Sequence, residues 1–263
     1  MIKTIQLKNG ISLEYLDRGE GEVLLLLHGL GSTKADWDFQ KEAFSEDFRI
    51  IAPDLRGHGN STKPKEKAAY GVAQSAEDMK LLLEELEIQK CVVVGFSMGG
   101  AIAFEMAVEY PAMVSKIVII NTAPNFNNLG ELGEEMVRER TKSLQNTGMI
   151  PLARQISEGM FPGEDQKDLR NSFFERAKKN PVDAYYNSFI TLMNWGIGDK
   201  LKQIDIPALV VASDMDYTPV SLKENYIKDM QNARLEVIQN SRHGVTMDQP
   251  DQFNAALLKF FRS

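Results

Sequence analysis

The residues most capable of chemistry in this chain lie in a short serine motif, Gly95-Phe96-Ser97-Met98-Gly99. An apolar run at residues 91–94 precedes it and predicts a buried strand, while apolar residues at helical spacing follow it over residues 101–110. A strand that turns directly into a helix at a serine bends the backbone sharply and exposes the hydroxyl beside a helix N-terminus, which favours negative charge. The motif therefore indicates a serine nucleophile, although an inert serine in a tight turn would give the same pattern.

A serine nucleophile needs a base, and the chain contains only three histidines. The serine hydroxyl is a weak nucleophile at neutral pH, so a base must take its proton and a third group must orient that base. His28 and His58 lie in glycine-rich loops after early predicted strands, whereas His243 follows the last predicted strand. In the chain order Ser, Asp, His that accompanies this motif, the base comes after the serine. Only His243 meets that condition.

The acid that orients the base is expected in the loop after the strand predicted at residues 206–212. Two aspartates, Asp214 and Asp216, compete for the role there. Either could instead be a turn residue that accepts hydrogen bonds from its own backbone. The residues alone leave this choice open.

The elements around these residues alternate between strands and helices. Asn9-Gly10 between two alternating segments predicts a hairpin of two antiparallel edge strands, residues 2–7 and 11–17. Apolar runs predict buried strands at residues 23–27, 48–52, 91–94, 116–120, 206–212 and 234–238, and amphipathic patterns predict helices at residues 34–44, 73–86, 220–230 and 250–261. This order predicts an α/β fold with a mostly parallel sheet and helices on both faces. Because such sheets form sites beyond the carboxyl ends of their strands, we expect His28, Asp54 and Ser97 to share one edge of the molecule.

Residues 122–200 have a different pattern. They contain no buried-strand run, only charged amphipathic segments at residues 132–144, 150–160, 166–178 and 181–195, separated at Gly148, Pro162-Gly163 and Pro181. We therefore expect an all-helical insertion. The chain would then consist of a core, residues 1–121 and 201–263, and a helical cap, residues 122–200.

The overall composition limits the partners. Thirty lysines and arginines against thirty-seven acidic residues give a net charge of −7, which argues against nucleic acid. The most apolar run, residues 23–27, is too short to cross a membrane, and the N-terminus has no signal-peptide pattern. The single cysteine, Cys91, can form no internal disulfide. We expect a cytoplasmic protein with a small-molecule substrate and no nucleic-acid or membrane partner, either a monomer or a homodimer.

Five stretches together resemble the α/β-hydrolase family, in its branch of small cap-domain esterases and enol-lactonases. They are His28-Gly29-Leu30-Gly31, Asp54-x-Arg56-Gly57-His58-Gly59-x-Ser61, Gly95-Phe96-Ser97-Met98-Gly99-Gly100, Asp214-x-Asp216-x-Thr218-Pro219, and His243 before Asp248-Gln249-Pro250. The resemblance implies an eight-stranded, mostly parallel sheet with an inserted helical cap. It also implies hydrolysis of an ester or lactone through an acyl-enzyme, with no cofactor and no metal.

The same resemblance implies a role for each matching residue. Ser97 would be the nucleophile, His243 the base and Asp216 the acid, and the backbone N–H groups of Leu30 and Met98 would form the oxyanion hole. The loop that carries His58 would support the site structurally. Two positions depart from the family pattern, which often has glycine where Ser213 opens the acid loop and where Arg242 precedes the histidine. The first departure leaves Asp214 in competition with Asp216.

Other functions fit the residues less well. Lys34 stands where a dinucleotide-binding loop needs its third glycine, and the Gly-Lys-Ser/Thr of a phosphate loop is absent. Three scattered histidines do not supply a metal hydrolase, and Ser97 disfavours the dehalogenases and epoxide hydrolases of this fold, which carry aspartate there. Three alternatives to hydrolysis of a small, mostly apolar ester or lactone remain. They are C–C bond hydrolysis, perhydrolase-type activity, and a ligand receptor or binding protein with slow turnover.

Overall fold

The computed structural model describes all residues 1–263 and contains one eight-stranded sheet. Its strands are β1 Ile2–Gln6, β2 Ser12–Arg18, β3 Glu22–Leu27, β4 Phe48–Pro53, β5 Cys91–Phe96, β6 Val114–Ile120, β7 Ala208–Ser213 and β8 Ala233–Ile238. They lie in the order β1-β2-β4-β3-β5-β6-β7-β8. β2 is antiparallel to both of its neighbours, and all the other pairs are parallel. The predicted mostly parallel sheet is therefore confirmed.

The N-terminal hairpin forms as predicted, but only one of its strands is at the edge. Asn9 closes the turn by accepting a hydrogen bond from the backbone N–H of Ile11 at 3.2 Å, and Gly10 has a φ of 84°. β2 also pairs with β4, where Leu16 lies opposite Ala52. The prediction of two edge strands was wrong for β2, because the alternating pattern reports burial of one face and not the number of neighbouring strands.

The central strands are buried on both faces, which explains their continuous apolar sequences. All six residues of β5 are buried. Along β5 the side chains alternate, so that Val93 belongs to one apolar core and Val92 and Val94 to the other. The helices α2 Val72–Glu85 and α3 Met98–Glu109 cover the first core, whereas α1 Asp38–Phe44 and α10 Pro250–Phe261 cover the second. Helices thus cover both faces, as predicted.

Four helices fill the chain between β6 and β7. They are α4 Glu131–Thr147, α5 Met149–Met160, α6 Lys167–Ala177 and α7 Val182–Met193. We call this four-helix unit the cap. A backbone bridge between Asn125 and Gly196 brings its two ends together. Gly148, with a φ of 74°, ends α4 and allows α5 to begin at once in a new direction.

Three helical segments differ from the sequence prediction. The helix expected at residues 34–44 begins with a 3-10 turn, Lys34–Trp37, before α1. The helix expected at residues 220–230 divides into α8, Val220–Tyr226, and a 3-10 turn, Ile227–Asp229. A four-residue helix, α9 Val245–Asp248, was not predicted, because so short a segment shows no helical period. No helix in the structure is long and apolar enough to cross a membrane.

Candidate active site

The serine motif forms the predicted sharp turn from β5 into α3. Ser97 has φ 53° and ψ −115°, a conformation that side-chain-bearing residues rarely adopt and that is common where strain serves a site. The backbones pass very close together here: a Cβ on Gly95 would lie 2.2 Å from the carbonyl oxygen of Gly99, and one on Gly99 would lie 2.1 Å from that of Leu27. Only glycine fits at either position. Ser97 is thereby held at the carboxyl edge of the sheet, where it lines a cavity.

His243 and Asp216 meet at the same edge of the sheet. The Nδ1 atom of His243 lies 2.8 Å from Oδ1 of Asp216, and His243 lines the cavity with Ser97. The Asp216 carboxylate is fully buried, and its other oxygen accepts hydrogen bonds from Lys223 Nζ at 2.9 Å and from the Thr218 hydroxyl. Burial alone would raise the pKa of Asp216, but the neighbouring His243, Lys223 and Thr218 lower it to about 2. Asp216 is therefore ionised at neutral pH and fixes the imidazole so that Nδ1–H points toward it.

Asp214, the competing aspartate, does not contact His243. Its carboxylate accepts hydrogen bonds from the backbone N–H groups of Asn240 and Ser241, each at 3.0 Å. It therefore shapes the turn that leads into His243 and does not contact the imidazole. Of the two aspartates that the sequence left in competition, only Asp216 contacts His243.

Hydrogen bonds from buried polar side chains hold the loop that carries His243. Asn121, which follows β6, donates from Nδ2 to the backbone oxygen of His243 at 2.9 Å and to the hydroxyl of Ser213 at 2.8 Å. Ser213 Oγ also lies 3.1 Å from Ser241 Oγ. The serine that stands where the family often has glycine is thus part of this support, and its departure from the pattern does not displace Asp216.

Tyr217 was not singled out from the sequence, yet it contacts the imidazole of His243 directly. Its hydroxyl lies 3.0 Å from Nε2 of His243, and the two rings are tilted by 35° with their centroids 4.3 Å apart. Desolvation around the hydroxyl and the nearby Asp216 carboxylate raise the pKa of Tyr217, although the outer part of the residue is exposed, so the hydroxyl is protonated at neutral pH. Because Asp216 keeps the proton on Nδ1, the Tyr217 hydroxyl donates to Nε2. Ser97 makes no side-chain hydrogen bond to His243 in this arrangement.

Two backbone donors adjoin Ser97 without a partner. The N–H of Met98 begins α3, and that of Leu30 lies in the loop after β3; neither donates a hydrogen bond within the protein. The loop of Leu30 runs beside the serine, since a Cβ on Gly29 would lie 3.5 Å from the Cβ of Ser97. Free N–H groups near a serine hydroxyl are the geometry needed to bind a developing oxyanion.

The other two histidines are structural and lie outside the cavity. His28 and His58 are fully buried, with their rings 5.2 Å apart, and each Nδ1 lies within 2.9 Å of a backbone oxygen. Nε2 of His28 accepts from the N–H of Leu55 at 3.0 Å, which requires a neutral ring. Burial lowers the pKa of His28 to about 4 and that of His58 to about 3.

These two histidines predict a loss of stability in mild acid. In the unfolded chain they protonate near the ordinary value of about 6.5, whereas in the folded chain they stay neutral until pH about 4 and about 3. The unfolded chain therefore binds more protons below pH 6.5, and each histidine favours unfolding by roughly 2 kcal/mol at pH 5. Urea unfolding at pH 8, 7 and 5 measures this effect. We expect little change between pH 8 and 7; equal free energies of unfolding at pH 7 and 5 would contradict the assignment.

The cavity in front of Ser97 lies between the sheet edge and the cap, and its volume is about 500 Å³. Apolar side chains from both parts line it, including Phe96 from the core and Leu152, Ile156, Met160 and Phe173 from the cap. Of the aromatic residues in the cap, Phe173 and Tyr185 line the cavity, and Phe161 and Phe189 pack in the buried core instead.

The cap is fixed to the core beside the loop that carries Leu30. Arg176 of α6 donates to the fully buried Asp36 at 2.9 Å, and Asn180 donates to the backbone oxygen of Gly31 at 2.7 Å. Asp36 also accepts a hydrogen bond from the hydroxyl of Ser32 and a weak one from the N–H of Gly29 at 3.4 Å. These contacts tie the position of the cap to the loop that carries Leu30.

The chain matches the sequence model of the family described as alpha/beta hydrolase fold over residues 22–250. Pimeloyl-[acyl-carrier protein] methyl ester esterase of Nitrosospira multiformis is 30% identical, covering 96% of this chain and 99% of that protein. 3-oxoadipate enol-lactonase 2 of Acinetobacter baylyi is 26% identical, covering 94% and 92%. The crystal structure of a hydrolase from Pseudomonas aeruginosa PA01 matches with a TM-score of 0.89 at 25% identity, covering 100% of this chain and 98% of that one.

The relatives agree on the family more closely than on a reaction. Some carry names of other activities, among them a synthase of Bacillus subtilis and an epoxide hydrolase of Mus musculus. The family match nevertheless spans most of the chain, and the sheet order and the sharp turn at Ser97 agree with it. The resemblance and the fold predicted from the sequence are confirmed. The chain is an enzyme of the α/β-hydrolase family.

Proposed function

We propose that this enzyme is a serine hydrolase that cleaves a small carboxylic ester or lactone through an acyl-enzyme on Ser97. One observation carries the proposal: His243, which is hydrogen-bonded to the buried Asp216, lines the same cavity as Ser97, and Ser97 is held in a strained turn. The relatives named for ester and lactone hydrolysis support the bond type. The proposed partner is a small molecule.

The reaction that this geometry supports has two halves. Ser97 Oγ attacks the carbonyl carbon while Nε2 of His243 takes its proton, and the carbonyl oxygen becomes an oxyanion bound by the N–H groups of Leu30 and Met98. Each such donor stabilises the transition state by about 3–4 kcal/mol. Collapse of the intermediate expels the alcohol, which receives the proton from His243. Water then attacks the acyl-enzyme in the same way and releases the acid.

Proton transfer from Ser97 requires Tyr217 to release the base. Nε2 has a single lone pair, and the Tyr217 hydroxyl occupies it at 3.0 Å. Tyr217 lies in a loop and keeps 49% of its surface exposed, so its side chain has room to turn. The bond that blocks Nε2 is therefore broken when a substrate enters and Ser97 approaches the imidazole.

The same contact favours a second candidate function, a ligand-binding protein with slow turnover. In such a protein Tyr217 would stay on His243 and the serine would remain inactive. A fluorophosphonate probe distinguishes the two functions, because it reacts with a serine only when a base activates it.

The size of the cavity supports a small acyl group. A cavity of about 500 Å³ bounded by apolar side chains of the cap has limited room for added methylenes. We expect the highest kcat/KM on p-nitrophenyl esters with acyl chains of about two to six carbons and a steep fall beyond about ten. Ser97→Ala supplies the background rate for each ester. Efficiency that rises up to the longest chains would indicate an open, lipase-like groove and would contradict this substrate class.

A further inference from the structure

Arg140 of α4 places a positive charge in the wall of the cavity. Its side chain is half-buried and lines the cavity with Ser97 and His243. One guanidinium nitrogen donates to the hydroxyl of Tyr185 at 3.1 Å, and the guanidinium carbon lies 5.1 Å from the ring centre of Phe189. Tyr185 and Phe189 are both buried, so these contacts hold the guanidinium in a defined position.

The charge of Arg140 is not neutralised within the protein. Its one side-chain hydrogen bond goes to a neutral phenol, and it forms no ion pair. Arg176 of the cap, by contrast, is paired with Asp36. Glu139, the carboxylate next to Arg140 in sequence, is exposed and pairs with Arg138 at 3.5 Å. A guanidinium offers five N–H donors, and most of those of Arg140 remain available to a ligand.

A second arginine, Arg242, also lines the cavity without an ion pair, but no contact fixes its side chain. Two exposed glutamates, Glu135 and Glu139, line the cavity from α4. Arg242 is half-buried as well, so Arg140 differs from it in having a side chain that is fixed by other residues. A guanidinium that other side chains already hold in position loses less side-chain entropy when it binds a carboxylate than a mobile one does.

We propose that Arg140 binds a free carboxylate of the substrate, at the end remote from the bond that Ser97 attacks. This inference rests on the proposed function and names its substrate class: an ester or lactone that retains one carboxylate. A carboxylate matches a single guanidinium in charge, whereas a phosphate monoester carries about −1.5 to −2 and would remain partly unbalanced in an apolar cavity.

Three methyl esters of equal acyl length test the proposal: monomethyl adipate, methyl hexanoate and dimethyl adipate. The first carries a carboxylate, the second ends in a methyl group, and the third has the same length without charge. We expect the wild-type enzyme to prefer monomethyl adipate. Arg140→Met should lower its kcat/KM for that ester by about 10- to 100-fold, mainly through KM, because a hydrogen bond to a charged group is lost.

The controls separate a lost anion contact from general damage. Arg140→Met should change kcat/KM for methyl hexanoate by less than about threefold, since that ester has no carboxylate to lose. Arg138→Met removes the same charge from α4 and should leave all three rates unchanged. Arg140→Lys keeps a point charge without the planar fork and should restore part of the activity on monomethyl adipate. Thermal unfolding of each variant confirms that it is folded.

Two results would overturn the inference. One is an equal loss on the charged and neutral esters in Arg140→Met, and the other is no preference for monomethyl adipate together with no effect of the substitution. Turnover of methyl hexanoate in either case leaves the proposed function standing. Failure of the wild-type enzyme on all three methyl esters and on the p-nitrophenyl series would instead refute the proposed function itself.

Discussion

Ser97→Ala is expected to leave a folded protein that has lost ester hydrolysis by at least about 10⁴-fold, since removing such a nucleophile stops the acyl-enzyme route. Alanine keeps a Cβ in the same backbone conformation and removes only a hydroxyl that makes no hydrogen bond to His243. The unfolding temperature should therefore change little. The measurement is kcat/KM on the best p-nitrophenyl ester, with thermal unfolding of both proteins. Activity within tenfold of wild type would refute the mechanism.

Asp216→Asn is expected to lower turnover by about 10⁴-fold through the wrong tautomer of the base. The buried ammonium of Lys223 needs an oxygen acceptor, so the asparagine oxygen will remain on Lys223 and its NH2 group will face Nδ1 of His243. Nδ1 must then accept a hydrogen bond, which places the proton on Nε2, where it blocks transfer from Ser97. Loss of one charge from the buried pair should also lower the free energy of unfolding by about 3–5 kcal/mol.

Asp214→Asn is the matched control for this prediction. It changes the neighbouring aspartate in the same loop, whose carboxylate contacts only the backbone N–H groups of Asn240 and Ser241. Turnover by this variant, normalised to the folded fraction, should stay within about tenfold of wild type. If Asp214→Asn lost the larger factor and Asp216→Asn the smaller, the assignment of the acid would be wrong.

The fold could be predicted because its central strands are buried on both faces. A strand such as β5, with six buried residues, needs an uninterrupted apolar sequence, and the chain shows that sequence directly. The turn at Ser97 could also be predicted from the sequence, because it requires glycine at positions 95 and 99. A Cβ at either position would lie only 2.1–2.2 Å from a backbone oxygen. The buried strands and the sharp turn could be predicted because each depends on residues that are close together in the sequence.

The rest of the site depends on contacts between distant segments. Lys223 has the sequence context of an exposed helical lysine, yet packing of α8 buries it completely against Asp216. Tyr217 occupies a position in the acid loop with no pattern of its own, and only the fold shows that its hydroxyl contacts His243. The choice between Asp214 and Asp216 likewise depends on the direction of the loop backbone. No spacing in the sequence carries this information.

The central claim is that Ser97 becomes covalently acylated, and covalent labelling tests it most directly. The folded protein is incubated with a fluorophosphonate, and intact mass followed by peptide mapping locates the adduct. We predict one adduct per chain, located on Ser97, and slower labelling when a short-chain ester is present. Ser97→Ala should form no adduct, and Asp216→Asn should react much more slowly than the wild-type enzyme. The mechanism would be contradicted if the protein hydrolysed esters but the probe did not label Ser97, or if the probe labelled another residue instead.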